Sequence, residues 1–282
     1  MRMIEGDFDR LVDQAWPAPG RRESGSWVLR HAGGVTKRAE SVLPLGVPGD
    51  LGAAVDDAER FYASLGRPCV FSMGAGATPG LDAELAARGY RVVDPTLVMT
   101  AVIGRGTPAG GDGVRLAAEP TAGWIDTWQS VDGRFGDESR KTAERIITAV
   151  PAVYASVSSA SVSSSSSAVP SRRAPSAGDP SRGHSLEGDD AHDEPALRHS
   201  PAAVGRGVLQ EGGWLGVYCM AVVPEARRRG HGRAVLGALL SFAEQQGAQR
   251  AYLVVTEANS AARSLYERAG FTVSSRYHYR VR

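Results

Sequence analysis

Between residues 214 and 247 a strand, a glycine-bearing turn and a helix follow one another so closely that few folds can hold them. Trp214-Leu215-Gly216-Val217-Tyr218-Cys219-Met220-Ala221-Val222-Val223 is nearly all apolar, as a buried strand is, and Pro224 ends its ladder. Arg227-Arg228-Arg229-Gly230-His231-Gly232-Arg233-Ala234 comes next, with the form Arg-x-x-Gly-x-Gly. Val235, Leu236, Leu239, Leu240 and Ala243 then share one helical stripe, and Gly247 is placed to close the helix. Glycines let backbone approach a ligand closely, and the N–H groups of a first helical turn have no partner inside the helix. The turn is therefore a seat for an anion such as a pyrophosphate.

Other glycine-rich phosphate loops fit less well. A Walker A loop needs Gly-Lys-Ser/Thr before its helix, and this segment has no lysine. A dinucleotide fingerprint needs a third glycine where Val235 stands, and an acidic residue after the next strand. Glu257, after the strand Ala251–Val255, keeps that alternative open.

Asn259-Ser260-Ala261-Ala262-Arg263-Ser264-Leu265-Tyr266-Glu267-Arg268-Ala269-Gly270-Phe271 reads as a capped helix, a stop and a new strand. The pair of segments resembles the GCN5-related N-acetyltransferases (GNATs). That family has an Arg/Gln-x-x-Gly-x-Gly/Ala loop after a splayed strand, then an Asn-x-x-Ala-x-x-Leu-Tyr-x-x-x-Gly-Phe block. Both blocks occur here in that order, separated by one helix and one strand.

The resemblance implies an α/β fold, with a mixed, mostly antiparallel GNAT-type sheet covered by helices on both faces. It implies an N-acetyltransferase that moves an acetyl group from acetyl-CoA, the co-substrate, directly to a primary amine on a small molecule or peptide. No metal is expected. Arg227, Arg228, Arg229, Gly230, His231, Gly232, Arg233 and Ala234 would face the CoA phosphates through backbone and one or two arginines, and Met220, Ala221 and Val222 would pair with the pantetheine arm. One of their N–H groups would polarise the thioester carbonyl. Asn259 is an N-cap by position and a CoA contact by resemblance. Tyr266 matches the family tyrosine that protonates the departing thiolate; on spacing alone it is a core residue, on one stripe with Ala262, Leu265 and Ala269. His231 is expected to meet solvent or phosphate rather than substrate.

The general base is not visible. Asp137, Glu138, Glu211 and His278 are candidates, and Tyr218 is a possible anchor for a water. No Cys/His pair near the loop suggests a covalent route. A CoA-binding regulator without catalysis and a transferase with a different acyl donor are the alternatives.

Organisation along the chain follows composition. The segment from about 158 to 201 is rich in serine, then in proline and acidic residues, and buries too little apolar surface to order itself. It reads as a disordered insertion at a hairpin tip within the domain 113–282, and His184, His192 and His199 read as solvated rather than metal-binding. Residues 1–104 form a smaller α/β unit with strands at Ser26–His31, Ser41–Leu45 and Val70–Met73 and a helix at Leu51–Leu65. In it, Leu81–Val92 echoes Ser264–Val273, which suggests a degenerate GNAT-like module; an unrelated α/β cap is the alternative. Gly46–Gly52 stands where the phosphate loop would be, without its motif.

The 32 Lys and Arg nearly balance the 31 Asp and Glu, so no overall field argues for nucleic acid. Cys69 and Cys219 lack metal spacing, and Cys219, inside an apolar strand, reads as buried and reduced. No apolar stretch approaches the roughly 20 residues of a membrane span, and the start of the chain lacks a signal-type apolar core. A cytoplasmic monomer or homodimer is the expectation.

Overall fold

The structure, a computed structural model, describes residues 7–104, 111, 113–132, 137–158 and 200–282. The first half runs α1 (Asp7–Ala15), β1 (Gly20–Ser24), β2 (Trp27–His31), β3 (Val42–Leu43), α2 (Leu51–Ser64), β4 (Val70–Met73), α3 (Leu81–Ala87) and β5 (Arg91–Val102). The second runs β6 (Val114–Ala117), α4 (Ala122–Asp132), α5 (Asp137–Ile147), β7 (Val153–Val157), β8 (Ala203–Gln210) and β9 (Trp214–Val222). It continues through a short 3-10 turn (Pro224–Ala226) to α6 (His231–Gln245), β10 (Arg250–Thr256), α7 (Ser260–Arg268) and β11 (Thr272–Val281).

All of the described strands join one sheet, in the order β1-β2-β3-β4-β11-β5-β10-β9-β8-β7-β6. Its pairs are antiparallel except β3 with β4 and β9 with β10. The two halves each end on a strand, and those strands are exchanged. β5, from the first half, pairs with β10, while β11, from the second, pairs with β4, and the two lie against each other at the centre. The sheet is therefore continuous across the numerical boundary at 104–113.

Alternation along the strands sends residues to two faces. On one face, α6 sets Val235, Leu236, Leu239 and Leu240 against Leu215, Val217 and Leu253, all fully or almost fully buried. Each such side chain contributes about 1.5–3 kcal/mol. On the other face α1, α4 and α5 pack Leu11, Val12, Trp124 and Ile146 against Tyr154, Tyr218 and Tyr252. Thus α1, at the start of the chain, covers strands of the second half. Arg206, fully buried on β8, ties it there by donating to the carbonyl of Ala15 at 2.9 Å, where the negative end of the helix dipole favours a cation. The first half has its own core, in which α2 and α3 enclose Trp27, Leu29, Phe71 and Tyr90.

Several elements differ from the sequence-based expectation. α1 and β1 were not expected, and the end of the chain, whose sequence reads as two strands, Phe271–Ser274 and Arg276–Val281, is one strand with two register shifts near Ser275 and Tyr279. Cys219 is half-buried rather than buried.

An ion-pair cluster also crosses the halves. Asp82 on α3 accepts from His278 at 2.8 Å and from Arg280 at 2.9 and 2.7 Å on β11. The Arg280 guanidinium, with His278, holds the Asp82 carboxyl down at about 2, below its ordinary 3.8. A depressed carboxylate stabilises the fold above its unfolded value, and that contribution disappears as pH falls through the folded value. In urea melts, Asp82→Asn is expected to cost up to about 1 kcal/mol at neutral pH, since the pair is half-exposed. The deficit should close as the pH falls from 3.8 to about 2; a deficit that persists there would remove the ionic explanation.

The expected insertion at about 158–201 falls mainly on residues 159–199, which lie outside the described residues, as do its three histidines. Its flanks pair as expected of a hairpin, with Val157 opposite Ala203 and the Ala202 N–H donating to the Val157 carbonyl at 2.8 Å. Because the hairpin closes by itself, replacing 159–199 with Asn-Gly is expected to leave the melting temperature within a few degrees of the parent. A drop above about 10 °C, a few kcal/mol for a chain of this size, would show that the segment contributes to the core.

Candidate active site

The site begins with a bulge. Opposite the single residue Gly205 between Val204 and Arg206 of β8, β9 carries two, Cys219 and Met220. Cys219 takes a left-handed φ of 53°, the strained geometry that kinks a strand and increases its twist. Glycine is needed opposite, because a Cβ at Gly205 would lie 2.7 Å from the Met220 sulfur. The consequence appears on the other edge of β9. Its parallel ladder with β10 runs from Trp214 opposite Arg250 to Val217 opposite Leu253 and stops there. Beyond Val217 the strands part, leaving backbone of β9 unpaired toward β10.

A cleft of about 620 Å³ opens from this fork. Met220, Ala221, Asn259 and Tyr266 line it together, and Cys219 and Tyr218 stand beside them. Tyr266 is buried, packs its ring 6.1 Å from that of Phe271, and its hydroxyl has no hydrogen-bond partner among the described residues. Burial pushes its pKa up to about 12. Asn259 caps α7, its Oδ1 accepting from the Ala262 N–H at 3.1 Å, so the capping assignment holds while its side chain also borders the cleft.

Val222, the last residue of β9, and the segment Arg227–Ala234 beyond it do not line the cleft. Gly230, at φ 86°, is the N-cap of α6 and brings no side chain to cap it. Among the described residues the N–H groups of His231, Gly232 and Arg233 have no acceptor; the ladder starts with Ala234 donating to Gly230. Four arginines, Arg227, Arg228, Arg229 and Arg233, are exposed around this helix end. An open N-terminus in a cationic setting fits a pyrophosphate, and the unpaired edge of β9 fits an extended amide-bearing arm. His231 is buried at 8% exposure rather than turned to solvent. Gly232 packs where a Cβ would lie 3.3 Å from Leu265 and 3.5 Å from Val222.

The corresponding place in the first half is filled. Asp50 caps α2 with its own carboxylate, accepting from the Ala53 N–H at 2.9 Å. Between β3 and β4, Thr78 donates to the carbonyl of Pro44 at 3.1 Å, and Leu45 bridges Ala77.

Among the sequence candidates for a base, Glu211 lies in the turn at the other end of β9 and His278 is held by Asp82, neither lining the cleft. The side chains of Asp137 and Glu138 lie outside the described residues. Tyr218 does line the cleft, but its hydroxyl shares a 2.7 Å hydrogen bond with Tyr252, and burial pushes its pKa up to about 12. The structure adds residues that were not expected. Trp16, Lys37 and Arg38 come from the first half, as does Asp94, the one carboxylate among the cleft's described lining residues. Asp94 pairs with Lys37 at 2.9 Å and has a left-handed φ of 48°. Its local signal, an Asp-Pro dipeptide, says nothing of a cleft formed with residues more than a hundred positions away.

A β-bulge that splays two parallel strands, followed by an uncapped glycine turn and helix, defines a GCN5-related N-acetyltransferase. The chain belongs to the acetyltransferase family described as "Probable histone acetyltransferase Rv0428c C-terminal", whose profile matches residues 9–174 and 190–280. An uncharacterized N-acetyltransferase of Bacillus subtilis, YobR, is 31% identical over 281 residues, covering 98% of this chain and 97% of that protein. In fold alone, a GCN5-related N-acetyltransferase from Kribbella flavida is similar with a TM-score of 0.60 at 16% identity, over 97% of this chain and 94% of that one. A tandem GNAT protein from the clavulanic acid biosynthesis pathway is similar at 0.56 and 13% identity, over 97% and 86%. Among the described residues no helix is long and apolar enough to cross a membrane.

Proposed function

We propose that this N-acetyltransferase takes its acetyl group from acetyl-CoA and passes it by direct attack to a primary amine of a small molecule or peptide. The observation that carries this reading is the fork beyond Val217 and Leu253, flanked by the uncapped α6 and opening on Tyr266.

Acetyl-CoA supplies an activated thioester. The N–H groups of His231, Gly232 and Arg233 and the exposed arginines hold its phosphates, and the edge of Met220, Ala221 and Val222 that faces β10 without pairing to it holds its extended arm. A backbone N–H of that segment stabilises negative charge on the carbonyl oxygen, in a position fixed by the bulge. As the nitrogen–carbon bond forms and the carbon–sulfur bond breaks, Tyr266 gives its proton to sulfur. Asp94, through water, takes the proton that the amine must lose. Residues 113–282 hold the donor and supply Tyr266, and residues 1–104, which bring Asp94 to the cleft, act as a GNAT-like half without a second cofactor seat. Asp50 and Thr78 support that reading, since one occupies the helix end and the other the space between strands.

Calorimetry should give one acetyl-CoA per chain, and an amine library should release free thiol in step with acetylated product. Two bound equivalents would overturn the assignment to one half. Binding without thiol release for any amine would overturn the catalytic reading in favour of a CoA-responsive regulator.

A further inference from the structure

Arg38, between β2 and β3, brings to the cleft a charge that no carboxylate of the described residues answers. Its guanidinium lies over the Trp16 ring at 4.9 Å and the Tyr218 ring at 5.6 Å. Its Nε is buried without a partner. No nearby carboxylate pairs with it among the described residues. Asp13 binds Arg21 and Arg30, and Asp94 binds Lys37. Asp9, which lines a cavity together with Arg38, accepts from the Gly76 N–H at 2.9 Å. Glu40 turns one oxygen to the N–H groups of Ala32 and Gly34 and buries the other without a partner. Of the two fully buried arginines of this region, Arg30 is held by Asp13 and Ser41, while Arg206 donates to the carbonyl of Ala15, leaves its Nε and Nη2 without a partner, and does not line the cleft.

Holding an unanswered guanidinium half-buried, with its Nε out of contact with water, is unfavourable, and cation–π contacts of roughly 0.5–2 kcal/mol each offset only part of the cost. Burial is the largest influence and works against the charge, but the phenols of Tyr277, Tyr279 and Tyr218 outweigh it, so the Arg38 pKa is raised. Arg38, Tyr277 and Tyr279 also line a second cavity of about 270 Å³, so this cation stands where two spaces meet.

Its place on the sheet indicates which ligand it meets. α6, with the phosphate seat at its N-terminus, packs on the face of β9 that carries Leu215 and Val217. Arg38 lies over Tyr218, which packs on the opposite face with Trp16 and Trp128. The phosphates and this guanidinium are thus on different sides of the fork.

We propose that Arg38 binds a carboxylate on the acceptor, so that the amine substrate is of the amino-acid type and the first half of the chain selects it. This rests on the acetyl-transfer reading above. A planar fork of N–H donors matches a carboxylate in two places, which the point charge of a lysine cannot do.

The test uses pairs of amines that differ only in a carboxylate, each an amino acid and its decarboxylated counterpart, with the full-length protein. The parent should prefer the acids. Arg38→Gln should raise the KM of the acids by about tenfold to a hundredfold, the worth of a hydrogen bond to a charged group, with kcat within a few-fold and acetyl-CoA affinity unchanged. Arg38→Lys, which keeps the charge, should fall between. A parent that prefers the decarboxylated members, or an Arg38→Gln variant that treats both as the parent does, overturns the proposal. A second measurement needs no turnover. In the presence of CoA, N-acetylated amino acids should raise the parent's melting temperature and their decarboxylated counterparts should not, and Arg38→Gln should lose the difference. No response to any acid, or equal response to both members, overturns it. Failure of acetyl-CoA to bind would instead sink the transfer reading, and the acid-selective melting shift would still decide the role of Arg38.

Discussion

Tyr266→Phe should lose at least about a hundredfold in kcat, the scale of one general acid, while the melting temperature barely moves. The ring stays packed beside Phe271, and the deleted hydroxyl has no hydrogen-bond partner among the described residues. Acetyl-CoA affinity should change far less than kcat, because the hydroxyl matters mainly as charge builds on sulfur. The pH dependence has a definite sign. Burial raises the Tyr266 pKa to about 12, so the phenol keeps its proton across the range where the enzyme can be assayed. Activity should therefore show no fall below about pH 10 that is due to this group, and the Phe variant should keep the parent's profile at a lower level. Turnover equal to the parent's, with chemistry rate-limiting, would reduce Tyr266 to a core residue.

The second large effect is expected at the glycine turn proposed to seat the phosphates. Gly230 stands at φ 86°, and a Cβ there would meet nothing within 4 Å, so a side chain is opposed by backbone conformation rather than by space. Valine at such a position costs on the order of 1–3 kcal/mol, and relaxing it turns the first N–H groups of α6 away from their common focus. Acetyl-CoA affinity in Gly230→Val is expected to fall by about tenfold to a hundredfold in a domain that still melts cooperatively. Gly232→Val should behave differently, because its side chain meets Leu265 on α7 and Val222 at the end of β9. There Leu265, on the helix that carries Tyr266, must give way by a few tenths of an ångström, and the larger valine side chain presses further on it, so kcat should fall along with affinity. Calorimetric titration beside steady-state rates separates the two patterns. Parent-like affinity in a folded Gly230→Val variant would remove the turn from the cofactor site.

Much of the second half was legible because its signals are local. The stripe from Val235 to Ala243 lies within α6, the Asn259 cap is one residue before α7, and Gly247 and Gly270 take the left-handed conformations expected of helix stops. α1 was missed although Phe8, Leu11, Val12 and Ala15 have helical spacing, a signal that was available in the sequence. β1 had none, since Gly20–Ser24 is a polar edge strand without alternation. The split reading of β11 arose at its register shifts, where irregular pairing breaks the period of two.

The sequence by itself determined the uncapped glycine turn, the tyrosine-bearing helix and the family, because each is written in a short contiguous run whose physics is that of one turn or one helix. Only the tertiary structure decided the exchange of β5 and β11 and the arrival of Trp16, Arg38 and Asp94 at a cleft built on β9 and β10. Those contacts join residues more than a hundred positions apart, and neither propensity nor periodicity carries information over that distance. The burial that selects them belongs to the assembled sheet, in which a strand of each half completes the other.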